Sequence, residues 1–334
     1  MKACQISPVA ADGALHRVDL PRPVPGQGEV LVRVRAASLN YRDLLVAQNV
    51  YGATLERVIP LSDGAGEVAE VGPGVTGLKA GDRVAGAFYP DWVDGPITAG
   101  ARVRSLGANM EGMLAEYVVL PAHAAIPIPD YLTWEEAATL PCAALTAWHA
   151  LSVVANVRPG DTVLLQGTGG VSMFALQFAR IMGARVIQTS GDAAKRARVT
   201  EMGADAVIDY KAEPDWDRPV MDLTGGRGAD VVIEVGGPGT LERSFRAVRV
   251  GGTIVSIGFV GGGAEVNPRA VIGKSIRLQG LTVGSCAMFR DMNRALALHE
   301  LRPVIDRVFP FEEAAAAYAH LRAGAHFGKI VIAI

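Results

Sequence analysis

Val163-Leu-Leu-Gln-Gly-Thr-Gly-Gly-Val-Ser-Met-Phe-Ala-Leu-Gln-Phe-Ala-Arg-Ile-Met-Gly-Ala-Arg-Val-Ile187 reads as a strand, a glycine turn, a helix and the start of a second strand. The apolar run ends at Gln166, and the turn follows at Gly167-Thr-Gly169. Val171, Phe174, Ala175, Phe178 and Met182 then keep to one helical face, and Gly183 is a fitting stop. Gly167 suits the tight turn. Gly169 lets the backbone N–H groups around Gly170 and Val171 approach a pyrophosphate at the helix N-terminus. Ser172 takes the place of a third glycine and is still small enough for close helix–strand packing. Alone, Gly-x-Gly-x-x-small is a weak pattern. Between a strand and a helix it predicts a dinucleotide site.

Downstream, apolar β-branched runs recur at 163–165, 185–189, 206–210, 230–235, 253–258 and 276–283, starting 21 to 24 residues apart. Helical patterns fill most of the gaps, which predicts a parallel sheet buried on both faces. Six such strands fit the doubly wound dinucleotide-binding fold. The second strand ends at Gln188-Thr-Ser-Gly-Asp-Ala-Ala-Lys195-Arg196. A carboxylate at that tip would hold both ribose hydroxyls of NAD; Ser190 stands there instead, with Lys195 and Arg196 close behind. A small hydroxyl beside cations suits a 2′-phosphate and predicts NADPH. Asp192 keeps NAD open as the alternative, and a solvated helix face is the other reading of the two cations.

Upstream, the first 120 residues read as β-rich. Residues 30–35 alternate in part, 81–86 look like a short strand and turn, and Pro and Gly punctuate often. Gly64, Gly66, Gly72 and Gly74 among Val68, Val71 and Val75 give the rhythm of a tight hairpin in a small β-barrel. Residues 89–112 form a long segment with little periodicity, of the kind that is usually functional or mobile. A last helix at 311–321 and a last strand at 328–334 return to this first domain.

Of the 334 residues, half are hydrophobic and 20% charged, the balance of a soluble globular protein of about two domains. A formal net charge of −2 and no basic run give no electrostatic reason to expect nucleic acid or an acidic membrane. The N-terminus lacks an apolar signal core, and no apolar stretch is long enough to span a bilayer. Cys4, Cys142 and Cys286 are odd in number and far apart, which argues against a disulfide framework and for a cytoplasmic protein.

Taken together, the chain resembles the medium-chain dehydrogenase/reductase superfamily. The residues that carry the likeness are Ser62-Asp-Gly-Ala-Gly-Glu-Val, Gly72, Leu140-Pro-Cys-Ala-Ala-Leu-Thr-Ala-Trp148, Gly167-Thr-Gly-Gly-Val171, Asp230-Val-Val-Ile-Glu-Val-Gly236 and Phe327-Gly-Lys-Ile-Val331. The resemblance implies an α/β chain with a GroES-like β-rich catalytic domain (1–124 and 285–334) and an inserted doubly wound, parallel-sheet Rossmann domain (125–284). Within the superfamily it is similar to the zinc-free branch of quinone oxidoreductases and enoyl reductases.

Zinc-containing members carry a Cys-His pair, a Gly-His-Glu and a second Cys. Here the three ligand places read Asn40, Ser62 and Cys142, and Leu61-Ser62-Asp63 replaces Gly-His-Glu. One thiol with an amide and a hydroxyl is no zinc site, since zinc takes sulfur, imidazole or carboxylate in sets of about four. Nor does the lobe near 90–115 hold the four Cys of a structural zinc. The expectation is no metal.

The likeness also assigns roles. Asn40 and Tyr41 belong to the nicotinamide site, with Tyr41 as proton or hydrogen-bond donor, or else packing against the cofactor. A phenol keeps its proton at neutral pH. Thr146 lies near the nicotinamide ribose. Tyr210 touches the adenosine phosphate or simply packs at an edge. Gly236, Phe259 and Ser285 sit in loops at the carboxyl ends of strands, where ligands gather. Phe327 and Lys329 match a C-terminal motif closing over the cofactor, although Lys329 is equally a candidate for the surface of an edge strand. Trp92 is a candidate pocket wall or a packing anchor, and His149 reads as structural.

Without a metal, hydrogen bonds alone must polarise the substrate. A conjugated acceptor needs less help because its product anion is delocalised. The expectation is NADPH-dependent reduction of an activated C=C or a quinone. A carbonyl/alcohol couple is the alternative, and a non-catalytic dinucleotide-binding protein the second. Partners are a small-molecule substrate and a second copy of the chain: a homodimer through 276–283, or a tetramer.

Overall fold

The computed structural model describes residues 1–7, 14–51, 55–258, 267 and 269–334. Phe259, expected in the cofactor groove, lies outside them. The chain divides into two compact units, Met1–Leu145 with Val283–Ile334, and Thr146–Thr282.

In the first unit β1 (Lys2–Ile6) pairs antiparallel with β2 (Leu15–Asp19). A larger sheet is built from β3 (Glu29–Leu39), β4 (Asp63–Val71), β5 (Arg83–Gly86), β6 (Tyr117–Pro121) and β7 (Ala125–Pro127). The C-terminal segment completes it. The expected hairpin at 60–75 is a correction: 63–71 is one unbroken strand, and the chain turns only between Gly72 and Asp82 before β5 pairs back. Strand alternation explains the pattern, with Val30, Val32 and Val34 of β3 buried in a core shared with Val68, Val84, Leu120 and Ile330. The segment 89–112 contains one short helix, Ala99–Val103.

The second unit holds six parallel strands, β8 (Thr162–Gln166), β9 (Arg185–Thr189), β10 (Ala206–Ile208), β11 (Ala229–Glu234), β12 (Val248–Ser256) and β13 (Arg277–Gly280). Their order is β10-β9-β8-β11-β12-β13, the doubly wound arrangement expected from the 21- to 24-residue spacing. All five residues of β8 are buried, as a strand covered on both faces requires. The helix Gly170–Ile181 covers one face with Phe174 and Phe178, whose rings stack at 6.1 Å. Trp148 meets Phe178 edge-on at 5.4 Å.

The division falls at Thr146, not at 125. β7 pairs with β5, and Asn293 donates to the Pro127 carbonyl, which ties 125–145 into the first unit. The chain returns to that unit through the helix Cys286–His299, β14 (Ile305–Pro310), the helix Ala314–Ala323 and β15 (Lys329–Ala333). β15 pairs antiparallel with β3, so Lys329 is not on an edge strand: it is 3% exposed, between β14 and β3.

Candidate active site

Sheet register creates the first constellation. β3 runs out at Leu39, and its neighbours β4 and β15 both run antiparallel to it, beginning at Asp63 and Lys329. Two strand starts therefore flank one strand end, and Asn40 follows directly. Lys329 Nζ donates to the Leu39 carbonyl at 2.6 Å and to Asn40 Oδ1 at 2.5 Å, and lies 3.9 Å from Asp63 Oδ2. Asp63 is fully buried; it accepts from Ser62 Oγ at 2.7 Å and from the Cys142 backbone N–H at 3.1 Å.

A helix, Tyr41–Ala47, starts on the same spot. Its Asp43 accepts from the Asn40 backbone N–H at 2.7 Å. The neighbouring Arg42 donates to the Leu106 carbonyl at 2.9 Å and lies 4.5 Å over the Phe88 ring, which anchors the 89–112 segment. Burial pushes the Asp43 carboxyl up to about 6, against the restraint of the Arg42 guanidinium. Burial also raises Asp63, opposed by Lys329. Leu61 holds a left-handed backbone at φ 69° in the place where the zinc-containing relatives have glycine. Gly112 is what leaves room for it, since a Cβ there would come within 2.3 Å of the Leu61 carbonyl oxygen.

Do these residues fit zinc? The Ser62 hydroxyl is spent on Asp63, and the Asn40 oxygen faces an ammonium group. Burial, and secondly Asp63, drive the Cys142 thiol far above its usual range, whereas zinc takes a thiolate. They do not fit. Among the described residues no group of three His, Cys, Asp or Glu could hold a metal ion.

Tyr41 opens the helix and is 42% exposed. A second phenol, Tyr51, was not expected from the sequence. It is 55% exposed, and the partial burial of its phenol raises its pKa, with Arg42 opposing. Its only sequence signal was an aromatic residue ten positions beyond Tyr41. Trp92 is 3% exposed and donates its indole N–H to the Gly95 carbonyl at 2.8 Å, which makes it a packing anchor and not a pocket wall. Ser285 is buried, with its hydroxyl capping the helix Cys286–His299. Phe327 is buried as well, its backbone N–H donating to Asp306.

The second constellation lies wholly in the other unit. Gly167 has φ 68°, and Gly169 is the N-cap of the twelve-residue helix Gly170–Ile181 with no side-chain cap on its first turn. A Cβ at either glycine would meet nothing within 4 Å, so the backbone borders open space, as a pyrophosphate cradle requires. Ser172 donates to the Gln166 carbonyl at 2.6 Å and so stitches helix to strand. Gln166 Nε2 donates to the buried Glu234 at 2.7 Å, and its oxygen accepts from the Gly236 N–H at 3.2 Å. Glu234 also accepts from the Gly236 and Gly237 N–H groups at 2.9 and 3.0 Å and from Ser244 Oγ, bracing the loop after β11. Gly236 is thus brought beside the Gly167 turn. Thr146 is 3% exposed in the same unit.

At the β9 tip Ser190 is buried, and Asp192 caps the next helix by accepting from the Lys195 N–H at 2.9 Å. Arg196 is spent on Asp209 at 2.8 Å and on the Ser190 carbonyl at 3.2 Å. Tyr210 and Lys211 lie against Gly191, where a Cβ would come within 2.8 Å of both side chains. Ser190, Lys195 and Tyr210 therefore gather at one corner, and Lys211 is a fourth member that the spacing argument did not single out. These residues fit a dinucleotide.

Residues 26–130 match the family model described as "Alcohol dehydrogenase GroES-like domain", and residues 170–299 the one described as "Zinc-binding dehydrogenase". The chain is 44% identical over 315 residues to a zinc-type alcohol dehydrogenase-like protein of Schizosaccharomyces pombe, covering 92% of this chain and 91% of the relative. It is similar to a crystal structure of an NAD-dependent alcohol dehydrogenase, with a TM-score of 0.90, 36% identity and full coverage of both chains. It is also similar to a 2-octenoyl-CoA carboxylase reductase solved with NADP and 2-octenoyl-CoA, with a TM-score of 0.89 and 28% identity over 99% of this chain and 87% of the other. The chain belongs to the medium-chain dehydrogenase/reductase superfamily and is an NAD(P)H-dependent oxidoreductase.

Proposed function

We propose that the protein is a zinc-independent, NADPH-dependent reductase of an activated C=C or quinone. One observation carries the reading: the place of the metal is taken by a hydrogen-bonded amide, Asn40, and a buried ammonium, Lys329, 2.5 Å apart. Such a site polarises an oxygen with hydrogen-bond donors and no divalent ion, which serves an enone, an enoyl thioester or a quinone better than it serves alkoxide formation from an alcohol. The likeness to a reductase bound to an enoyl thioester supports this class, although the relatives' names also include zinc-type and NAD-dependent alcohol dehydrogenases.

The nicotinamide supplies the hydride when bound. Gly167, Gly169, Gly170 and Val171 hold the pyrophosphate, while Ser190, Lys195, Tyr210 and Lys211 form the corner for the 2′-phosphate. Tyr41, the first residue of the helix that follows Asn40, gives the proton that completes the reduction. The four residues of β13 are exposed and leave a sheet edge for a second copy. Gel filtration at the monomer mass contradicts that homodimer.

The experiment is to follow NADPH oxidation with a panel of quinones, enones, enoyl thioesters and aldehydes, using wild type and Tyr41→Phe. Turnover is expected on the conjugated members and a fall of about tenfold or more in Tyr41→Phe, the usual scale for losing a positioned proton donor. Activity confined to alcohols and simple aldehydes would refute the reading.

A further inference from the structure

β8 and β11 are neighbours in the parallel sheet, with Ile233 registered against Leu165, so Gln166 and Glu234 come next on each and both strands end side by side. Each runs into glycines and then a helix: Gly167 and Gly169 before Gly170–Ile181, Gly236 and Gly237 before Pro238–Ala247. Either turn is of the kind that takes a phosphate on its N–H groups. Their donors have opposite fates. After β8 no side chain caps the helix, and a Cβ at Gly167 or Gly169 would meet nothing within 4 Å. After β11 the donors are consumed from inside. Glu234, fully buried, accepts on Oε1 from the Gly236 N–H at 2.9 Å, the Gly237 N–H at 3.0 Å and Thr240 Oγ1 at 2.5 Å. Its Oε2 accepts from Gln166 Nε2 at 2.7 Å and from Ser244 Oγ. Gln166 Oε1 takes the Val235 and Gly236 N–H groups, each at 3.2 Å. Backbone donors thus fix which end of the Gln166 amide points to Glu234, and a carboxylate, which only accepts, meets that NH2 end and the Gly237 turn together.

We propose that Glu234 is a positioning residue for the cofactor: a built-in anion that fills the turn after β11, ties it through Gln166 to the Gly167 turn, and leaves the latter as the seat of the diphosphate. This rests on the reading of the Gly167 turn as that seat. Glycine runs are pliant, so two of them side by side keep a fixed spacing only where a buried, fully paired group ties them. Exchanging the two tied residues conserves the pairing. With Gln166→Glu and Glu234→Gln together, the carboxylate moves to β8, the amide to β11, and each donor keeps an acceptor. Either substitution alone sets like against like, NH2 facing NH2 or carboxylate facing carboxylate.

Full-length wild type, both single variants and the exchanged pair are titrated by fluorescence with whichever of NADPH and NADH wild type binds more tightly. The matching adenosine fragment, 2′-AMP or adenosine, lacks the diphosphate and is read by competition. Each single variant is expected to weaken the cofactor about tenfold and the fragment by no more than about twofold, the scale of charge-assisted hydrogen bonds lost at one place. The exchanged pair is expected to return to within about threefold of wild type, because contacting residues couple. If a single variant fails to fold by circular dichroism, Thr240→Val replaces it; that change withdraws one donor, keeps the carboxylate and is expected to weaken the cofactor about threefold. Unchanged cofactor affinity, equal losses for cofactor and fragment, or an exchanged pair no better than its single members overturns the role. Gly169→Ala separates it from the reading beneath. If that variant weakens the cofactor while Glu234→Gln does not, the positioning role falls alone; if neither does, both fall. A wild-type preference for NADH refutes the 2′-phosphate corner and not this role.

Discussion

Asp43 is where the cost of the site is most measurable. It is buried, and its folded-state pKa of about 6 lies above the ordinary 3.8. A raised carboxyl favours the fold fully below the unfolded value, and that contribution is lost as pH rises through the folded one. Asp43→Asn keeps an acceptor for the Asn40 N–H and removes the ionisation. Urea unfolding at pH 4 and pH 8 should therefore show wild type losing about 2 kcal/mol relative to the variant as pH rises. An unchanged difference contradicts the burial argument. At this scale the sequence was informative where a residue type changed at a known place: Asn40, Ser62 and Cys142 stand at the zinc ligands' positions, and their unsuitability was legible from chemistry alone. Lys329 was legible as a candidate from its C-terminal motif, but its pairing with Asn40 was not. It sits 289 residues from Asn40 in sequence, and only the antiparallel register of β15 on β3 brings them together.

Among elements, the β8 turn and its helix do the most with the least. Gly167 needs its positive φ, but Gly169 has an ordinary φ of −76° and open space where a Cβ would stand. Gly169→Ala should therefore fold like wild type, with Tm within about 2 °C, consistent with a surface change of a few tenths of a kcal/mol. Its affinity for NADPH should fall about tenfold, because the methyl group occupies the pyrophosphate's approach. A large fall in Tm, or unchanged affinity, contradicts the cradle. Strands of the second unit were legible because burial on both faces leaves continuous apolar runs, and periodicity located each one to within a few residues. The hairpin at 60–75 misled because glycine has two uses. In 63–71 the glycines at Gly64 and Gly66 lie inside a strand, where a Cβ would strike neighbouring atoms, and do not turn it.

At the scale of the molecule, the two units divide the labour by composition. The parallel sheet supplies a backbone cradle at a topological switch point, which is why its function was legible from spacing. The antiparallel sheet gathers Asn40, Asp63 and Lys329 from three strand ends, a convergence no linear pattern encodes. The expected boundary at 125 was early for the same kind of reason, since β7 joins β5 in space and no local pattern announces that pairing. Among the described residues no helix is long and apolar enough to cross a membrane. The family description of residues 170–299 names zinc, while the donor set around Cys142 does not suit it. That conflict bears on every assigned role, and metal analysis resolves it. Protein purified without added metal should contain far less than one transition-metal ion per chain and oxidise NADPH with an enone or quinone at a rate unchanged by prolonged chelation. One tightly held zinc per chain, whose removal abolishes turnover and whose return restores it, would contradict the account.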